Sequence, residues 1–125
     1  MRGTGMRVLI VDDSKTARVM CKRALPASLQ ANLIEASGGQ EALDFCRAEK
    51  IDLMLLDLTM PDVDGYQVLE VLQREGATLP KVVVMSADIQ PEAQVRIQKL
   101  GAIGFVPKPA NVTILEKLLR ENGLL

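Results

Sequence analysis

Apolar residues fall along the chain in two alternating rhythms. Five short runs are almost continuously apolar: Met6–Val11, Asn32–Ala36, Asp52–Asp57, Lys81–Ser86 and Ala102–Val106. Runs of that length, bounded by polar residues and turn formers, predict strands buried on both faces. Four segments with helical spacing lie between them, and a fifth follows the last run. The strand–helix alternation, repeated five times, predicts an α/β fold with a parallel sheet covered by helices on both faces.

The helical segments carry their own punctuation. In the first, Ala17, Met20, Cys21, Ala24 and Leu25 recur at i, i+3, i+4, i+7 and i+8 and form one apolar stripe. Lys15, Arg18, Lys22 and Arg23 lie largely off that stripe, and Pro26 ends the segment. The second helix follows Ser37-Gly38-Gly39 and turns Ala42, Leu43, Phe45 and Cys46 inward. The third follows Gly65, carries Val68, Leu69 and Leu72 inward, and stops near Gly76. The fourth opens on Pro91, a favoured first helical residue, with Ala93, Ile97 and Leu100 inward and Gly101 at its end. The fifth has Asn111 as its N-cap, then Val112, Leu115, Leu118 and Leu119, and ends at Gly123. The connections are short, with no internal linker or repeat, so residues 6–125 read as one domain and Met1–Gly5 as a short flexible leader.

Topology then gathers the chemistry. Right-handed crossovers put every strand's C-terminal end on the same edge of the sheet, where ligands of such sheets bind. Asp12 and Asp13 follow the first strand, Asp57 ends the third, Ser86 ends the fourth, and Lys108 follows the fifth. Each has an ordinary alternative. Asp12 or Asp13 could cap the first helix, though one cap needs only one side chain. Asp57 could be a turn residue, Ser86 a cap, and Lys108 a solvated loop lysine. All five on one rim is what those separate explanations leave unaccounted for.

Composition narrows the chemistry further. Fifteen basic and sixteen acidic residues give a net charge of −1, with no footprint for nucleic acid or an anionic membrane. The absence of histidine removes Ser-His-Asp and Cys-His machinery and imidazole zinc sites. With no tryptophan, one tyrosine and two phenylalanines, base-stacking surfaces are not expected. Cys21 and Cys46 sit in apolar helical patterns and read as small buried hydrophobes. No apolar run approaches the length of a membrane span. Three carboxylates on one rim repel one another, and a bound divalent cation would relieve this. Oxygen-only ligands favour Mg²⁺ or Mn²⁺ over zinc.

Four motifs stand in this chain in a familiar order and spacing: VDDS at Val11–Ser14, LLDLTMPDVDG at Leu55–Gly65, VVVMSA at Val82–Ala87 and FVPKP at Phe105–Pro109. The sequence resembles the receiver domain of bacterial two-component response regulators, in particular the single-domain chemotaxis type. The resemblance runs from Met6 to about Asn122. It implies a doubly wound, flavodoxin-like sheet of order 2-1-3-4-5 with five helices, an order that alternation alone does not specify.

By that resemblance Asp57 is the phosphoacceptor, taking a phosphoryl group from a histidine kinase. Asp13 is the chief Mg²⁺ ligand (Mn²⁺ a substitute), with Asp12 holding a metal-bound water and Asp57 and the Thr59 backbone carbonyl completing the set. Ser86 and Lys108 hold phosphoryl oxygens, and Lys108 pairs with Asp57 beforehand. The Lys108–Pro109 bond is expected to be cis, and Gly65 to serve the turn into the third helix. Phe105 is the switch aromatic, and Thr59 and Asp88 tune the lifetime of the acyl phosphate. The chemistry agrees: an aspartate can attack phosphorus, and a lysine, a hydroxyl and a metal can stabilise the transferring group.

The expected function is a phosphorylation-activated signalling switch. It would alter its helix 4–strand 5–helix 5 face, where Val95 points off its helix's apolar stripe, to control a partner protein. The protein would catalyse its own phosphorylation and dephosphorylation without being a metabolic enzyme. It is expected to be cytoplasmic, a monomer or a weak dimer through that face, and without nucleic-acid or membrane contact. The chain ends soon after the fifth helix, so its output is expected to be protein–protein contact. The alternatives are an isolated receiver piece of a longer transcriptional or enzymatic regulator, or a phosphorelay intermediate. A flavin-binding protein of the same architecture would need a first loop that welcomes phosphate, and Asp12 and Asp13 would repel it. A haloacid-dehalogenase-type phosphatase carries its nucleophile after the first strand, whereas the candidate here is on the third. No GxxxxGK[ST] is present for a P-loop.

Overall fold

The computed structural model describes residues 5–76, 80–87 and 90–125. In chain order the elements are β1 (Val8–Val11), α1 (Lys15–Ala24), β2 (Leu33–Ala36), α2 (Gly39–Ala48), β3 (Leu53–Asp57), α3 (Gly65–Glu75), β4 (Lys81–Ser86), α4 (Pro91–Lys99), β5 (Gly104–Pro107) and α5 (Val112–Glu121). A 3₁₀ turn at Ala27–Leu29, not anticipated, follows Pro26 and buries Leu29.

The five strands form one parallel sheet in the order β2-β1-β3-β4-β5. Alternation along each strand explains the continuous apolar runs, because successive side chains serve two cores. Leu9, Val11, Met54, Leu56, Val82 and Val84 join Ala42, Leu43, Val68, Leu69 and Ile97 beneath α2, α3 and α4. Val8, Ile10, Leu53, Leu55, Val83 and Met85 join Cys21, Ala24, Leu25, Leu115 and Leu119 beneath α1 and α5. Each buried Val, Leu, Ile or Met among them is stabilising by about 1.5–3 kcal/mol relative to exposure.

The structure corrects several expected details. β1 starts at Val8, because the Arg7 carbonyl is engaged by the Asp52 and Leu53 amides and its amide by the Asp52 carboxylate. β5 starts at Gly104, because the Ala102 amide closes the C-terminus of α4 on Ile97 O. Met20 is 41% exposed, at the edge of its stripe, where it borders a cleft between α1 and the β5–α5 loop. Val112 is 47% exposed as the first residue of α5, with its Cβ tilted toward the helix start and off the sheet. Phe45, Cys46, Leu100 and Leu118 are only half-buried.

The helix ends follow local rules. Asn111 caps α5 by accepting from the Ile114 amide at 3.0 Å, and Asp64 with Gln67 forms a capping box at α3. Gly76 closes α3 at φ 62°, a left-handed position that favours glycine. Among the described residues no helix is long and apolar enough to cross a membrane.

Candidate functional site

β1 and β3 are central neighbours, and the winding of the chain reverses between them, since β2 flanks β1 on one side and β4 flanks β3 on the other. Their C-terminal ends therefore open the crevice where the acids meet. Asp12 and Asp57 are buried, Asp57 with 5% of its surface exposed, while Asp13 faces solvent. One carboxylate oxygen from each of Asp12, Asp13 and Asp57 lies within 4.8 Å of the others. Ser86 is buried at the end of β4, and Lys108 reaches in from beyond β5.

Lys108 bridges the two buried acids. Its Nζ lies 2.7 Å from Asp12 Oδ2 and 3.1 Å from Asp57 Oδ1, so the shorter contact is to Asp12 rather than to the expected partner Asp57. The Lys108 amide donates to Ser86 O at 3.0 Å, which ties its loop to the end of β4. The Lys108–Pro109 bond is cis, as the resemblance implied.

The question of which residue caps α1 has a local answer. Ser14 is the N-cap, its Oγ accepting from the Ala17 amide at 3.2 Å. Asp12 Oδ1 accepts from the Ser14 amide at 2.9 Å and so orders the turn without capping the helix. Asp13 makes no side-chain hydrogen bond or ion pair to any described residue, which leaves its carboxylate open to a ligand. The other contact that sequence reasoning missed is from Arg18, whose Nη1 donates to the Asp12 backbone carbonyl at 2.6 Å. The preference of serine for N-caps would have found Ser14; nothing in the sequence announces Arg18.

The electrostatics are those of crowded like charges. Burial pushes the Asp57 carboxyl above its usual range and the Asp12 charge pushes it further, against pulls from Lys108 and the Thr59 amide. For Lys108, burial is the largest single influence and pulls downward. The hydrogen bonds and charges of Asp12 and Asp57 together outweigh it, and its net direction is up. The ammonium is therefore held charged between the two acids. Cys21, buried between α1 and the sheet, has its thiol pushed up to about 11, first by burial and then by Asp12.

Gly65 is placed by necessity. A Cβ there would lie 2.4 Å from Asp57 O and 2.8 Å from Leu58 Cα, so α3 can start this close to the acid only with glycine. Ser86 and Phe105 project to the same face of the sheet: Ser86 lies opposite Pro107 and Val84 opposite Phe105 in the β4–β5 register. Phe105 is half-buried and borders a groove of about 520 Å³ between α4 and β5, with Val95, 49% exposed, on its other wall. Thr59 is exposed beside Asp57. Asp88, the second expected tuning position, lies outside the described residues.

The sequence model of the response regulator receiver domain matches residues 8–120. Response regulator MprA of Mycobacterium avium is 35% identical over 121 residues, covering 96% of this chain and 51% of its own length. Sensory/regulatory protein RpfC of Xanthomonas campestris is 34% identical over 111 residues, covering 86% of this chain and 15% of its own. The chain thus spans about half, or much less, of these curated relatives. Among solved structures, chemotaxis protein CheY4 of Vibrio cholerae superposes with a TM-score of 0.79 at 26% identity, covering 93% of this chain and 97% of that one.

Proposed function

The chain belongs to the response regulator receiver domain family, and from that premise we propose that Asp57 accepts a phosphoryl group and that its phosphorylation switches the α4–β5–α5 face. The observation that carries the reading is the seating of buried Asp57 against Asp12 and Lys108, with the open carboxylate of Asp13 beside them.

A carboxylate oxygen of Asp57 attacks the phosphorus of the donor. The bond from phosphorus to the histidine nitrogen breaks, and the imidazole leaves with the bonding pair and takes up a proton. The Lys108 ammonium and the Ser86 hydroxyl hold oxygens of the transferred group, where negative charge must be balanced. Asp12, Asp13, Asp57 and the Thr59 carbonyl are an all-oxygen donor set, which suits Mg²⁺ or Mn²⁺. When bound, such an ion would supply positive charge that relieves the repulsion of the acids and offsets charge on the phosphoryl oxygens.

Ser86 and Phe105 then link site to surface. A hydroxyl drawn toward the phosphoryl group leaves space on the face of the sheet that Phe105 shares, and the groove beside Val95 changes shape. The phosphodonor is a histidine kinase and the output a protein target engaged through that groove, as in chemotaxis-type regulators. A second reading, a receiver unit within a longer regulator, draws on the partial coverage of MprA and RpfC. Both readings share the same switch in the cytoplasm.

Beryllofluoride, which binds carboxylates in the shape of a phosphoryl group, tests the site. With Mg²⁺ it should raise the melting temperature of the wild type and leave Asp57→Asn unmoved. An equal rise in both proteins would place the acceptor elsewhere.

A further inference from the structure

We propose that Arg18 is a positioning residue for the cation-binding acids, acting through the backbone between Asp12 and Asp13. The proposal rests on the metal reading given above and concerns what aims Asp13.

The β1 ladder ends at Asp12, whose amide donates to Ala36 O. Asp12 is then held at three further points: Oδ1 by the Ser14 amide, Oδ2 by Lys108, and its backbone carbonyl by Arg18 Nη1 at 2.6 Å. That carbonyl belongs to the peptide plane that leads into Asp13. Asp13 has no side-chain partner among the described residues, so its direction depends on its backbone. Arg18 is the contact that orients that plane. Its own orientation is secured by Nε, which donates to Glu35 Oε1 at 2.8 Å, and its side chain is only 14% exposed. A rigid fork that reaches a carbonyl and a carboxylate at once is a job for arginine.

A tie between α1 and β2 alone is the competing account. Lys22 makes that tie too, from Nζ to Glu35 Oε2 at 2.7 Å, without touching Asp12. Lys22→Met therefore removes a cation from the same carboxylate and leaves the Asp12 carbonyl engaged. Simple electrostatics opposes the proposal in sign, because removing a positive charge near the acids should strengthen cation binding. A loss of affinity is therefore a structural effect, and Lys22→Met separates the Asp12 contact from the tie to Glu35.

The experiment is a titration with Mn²⁺ alone, read by the electron paramagnetic resonance signal of the free ion, alongside thermal melts in EDTA. Arg18→Gln should bind Mn²⁺ about tenfold more weakly than wild type, the scale seen when partners that orient metal ligands are removed. Lys22→Met should stay within about twofold, well below that loss. Should Arg18→Gln melt too low to titrate, Arg18→Lys keeps the charge but not the fork and should show the same loss. Wild-type affinity or better in the Arg18 variants, or an equal loss in Lys22→Met, overturns the positioning role and leaves the metal reading standing. A wild type that binds no Mn²⁺ overturns the metal reading and the positioning role with it.

Discussion

Asp57 is seated where its charge works against folding. Burial, then the charge of Asp12, raises its folded pKa above the unfolded 3.8, so the folded state holds the proton more tightly than the unfolded chain. Stability is then lost as pH rises from the unfolded value through the higher folded one. In EDTA at pH 7, Asp57→Asn should therefore melt a few degrees higher than wild type, with the gap closing as pH falls toward the ordinary carboxylate range. A constant gap, or a less stable Asn variant, contradicts this account of the site. Lys108 has the opposite role: its raised folded pKa contributes stability at neutral pH that is lost only as pH climbs through and beyond 10.5. Gly65→Ala should destabilise by roughly 1–3 kcal/mol in urea unfolding, because the clashing atoms are backbone and cannot turn aside. At this scale the sequence showed which residues meet, since strand ends share one rim. It did not show that Lys108, 96 positions along the chain, lies closer to Asp12 than to Asp57, nor that Arg18 turns from the polar face of its helix to a backbone carbonyl. Those are distances set by packing.

Among the elements, strands and helix stripes were legible because two cores impose two periods. β3 and β4 were legible nearly to the residue, since both faces of each are covered. Misjudgements fell at margins. Met20 looks inward by periodicity, yet α1 covers only part of its stripe; Val112 precedes the first turn seated on the sheet. Ala102 is apolar and adjoins β5, but its amide serves the end of α4. Caps are where element stability is most simply tested. Asn111→Ala removes the acceptor of the Ile114 amide and should cost about 1 kcal/mol in urea unfolding. An unchanged midpoint would mean that α5 is held by Leu115 and Leu119 alone. α4, whose groove is the proposed output surface, leans on α3 through Arg96 stacked 3.9 Å from the centre of the Tyr66 ring and through Gln73 donating to Lys99 O at 3.1 Å. An ion pair from Arg96 to Glu70 at 3.9 Å adds to them, and buried Ile97 joins the core that α3 shares.

For the whole molecule, strand–helix alternation predicted a parallel sheet but left its strand order open; the resemblance supplied the order, and the structure has it. The missing histidine had already removed machinery built on imidazole. Metal linkage is a property at this scale. Mg²⁺ at 100 times its Kd should stabilise the folded protein by about 2.7 kcal/mol, and Asp13→Asn should abolish most of that shift. A full shift in the variant would remove Asp13 from the ligand set. The most direct measurement is the intact mass of the protein after incubation with Mg²⁺ and acetyl phosphate, which needs no kinase. The account predicts a gain of one phosphoryl group in the wild type and none in Asp57→Asn. The same gain in both proteins, or no gain in a wild type that binds beryllofluoride, contradicts it.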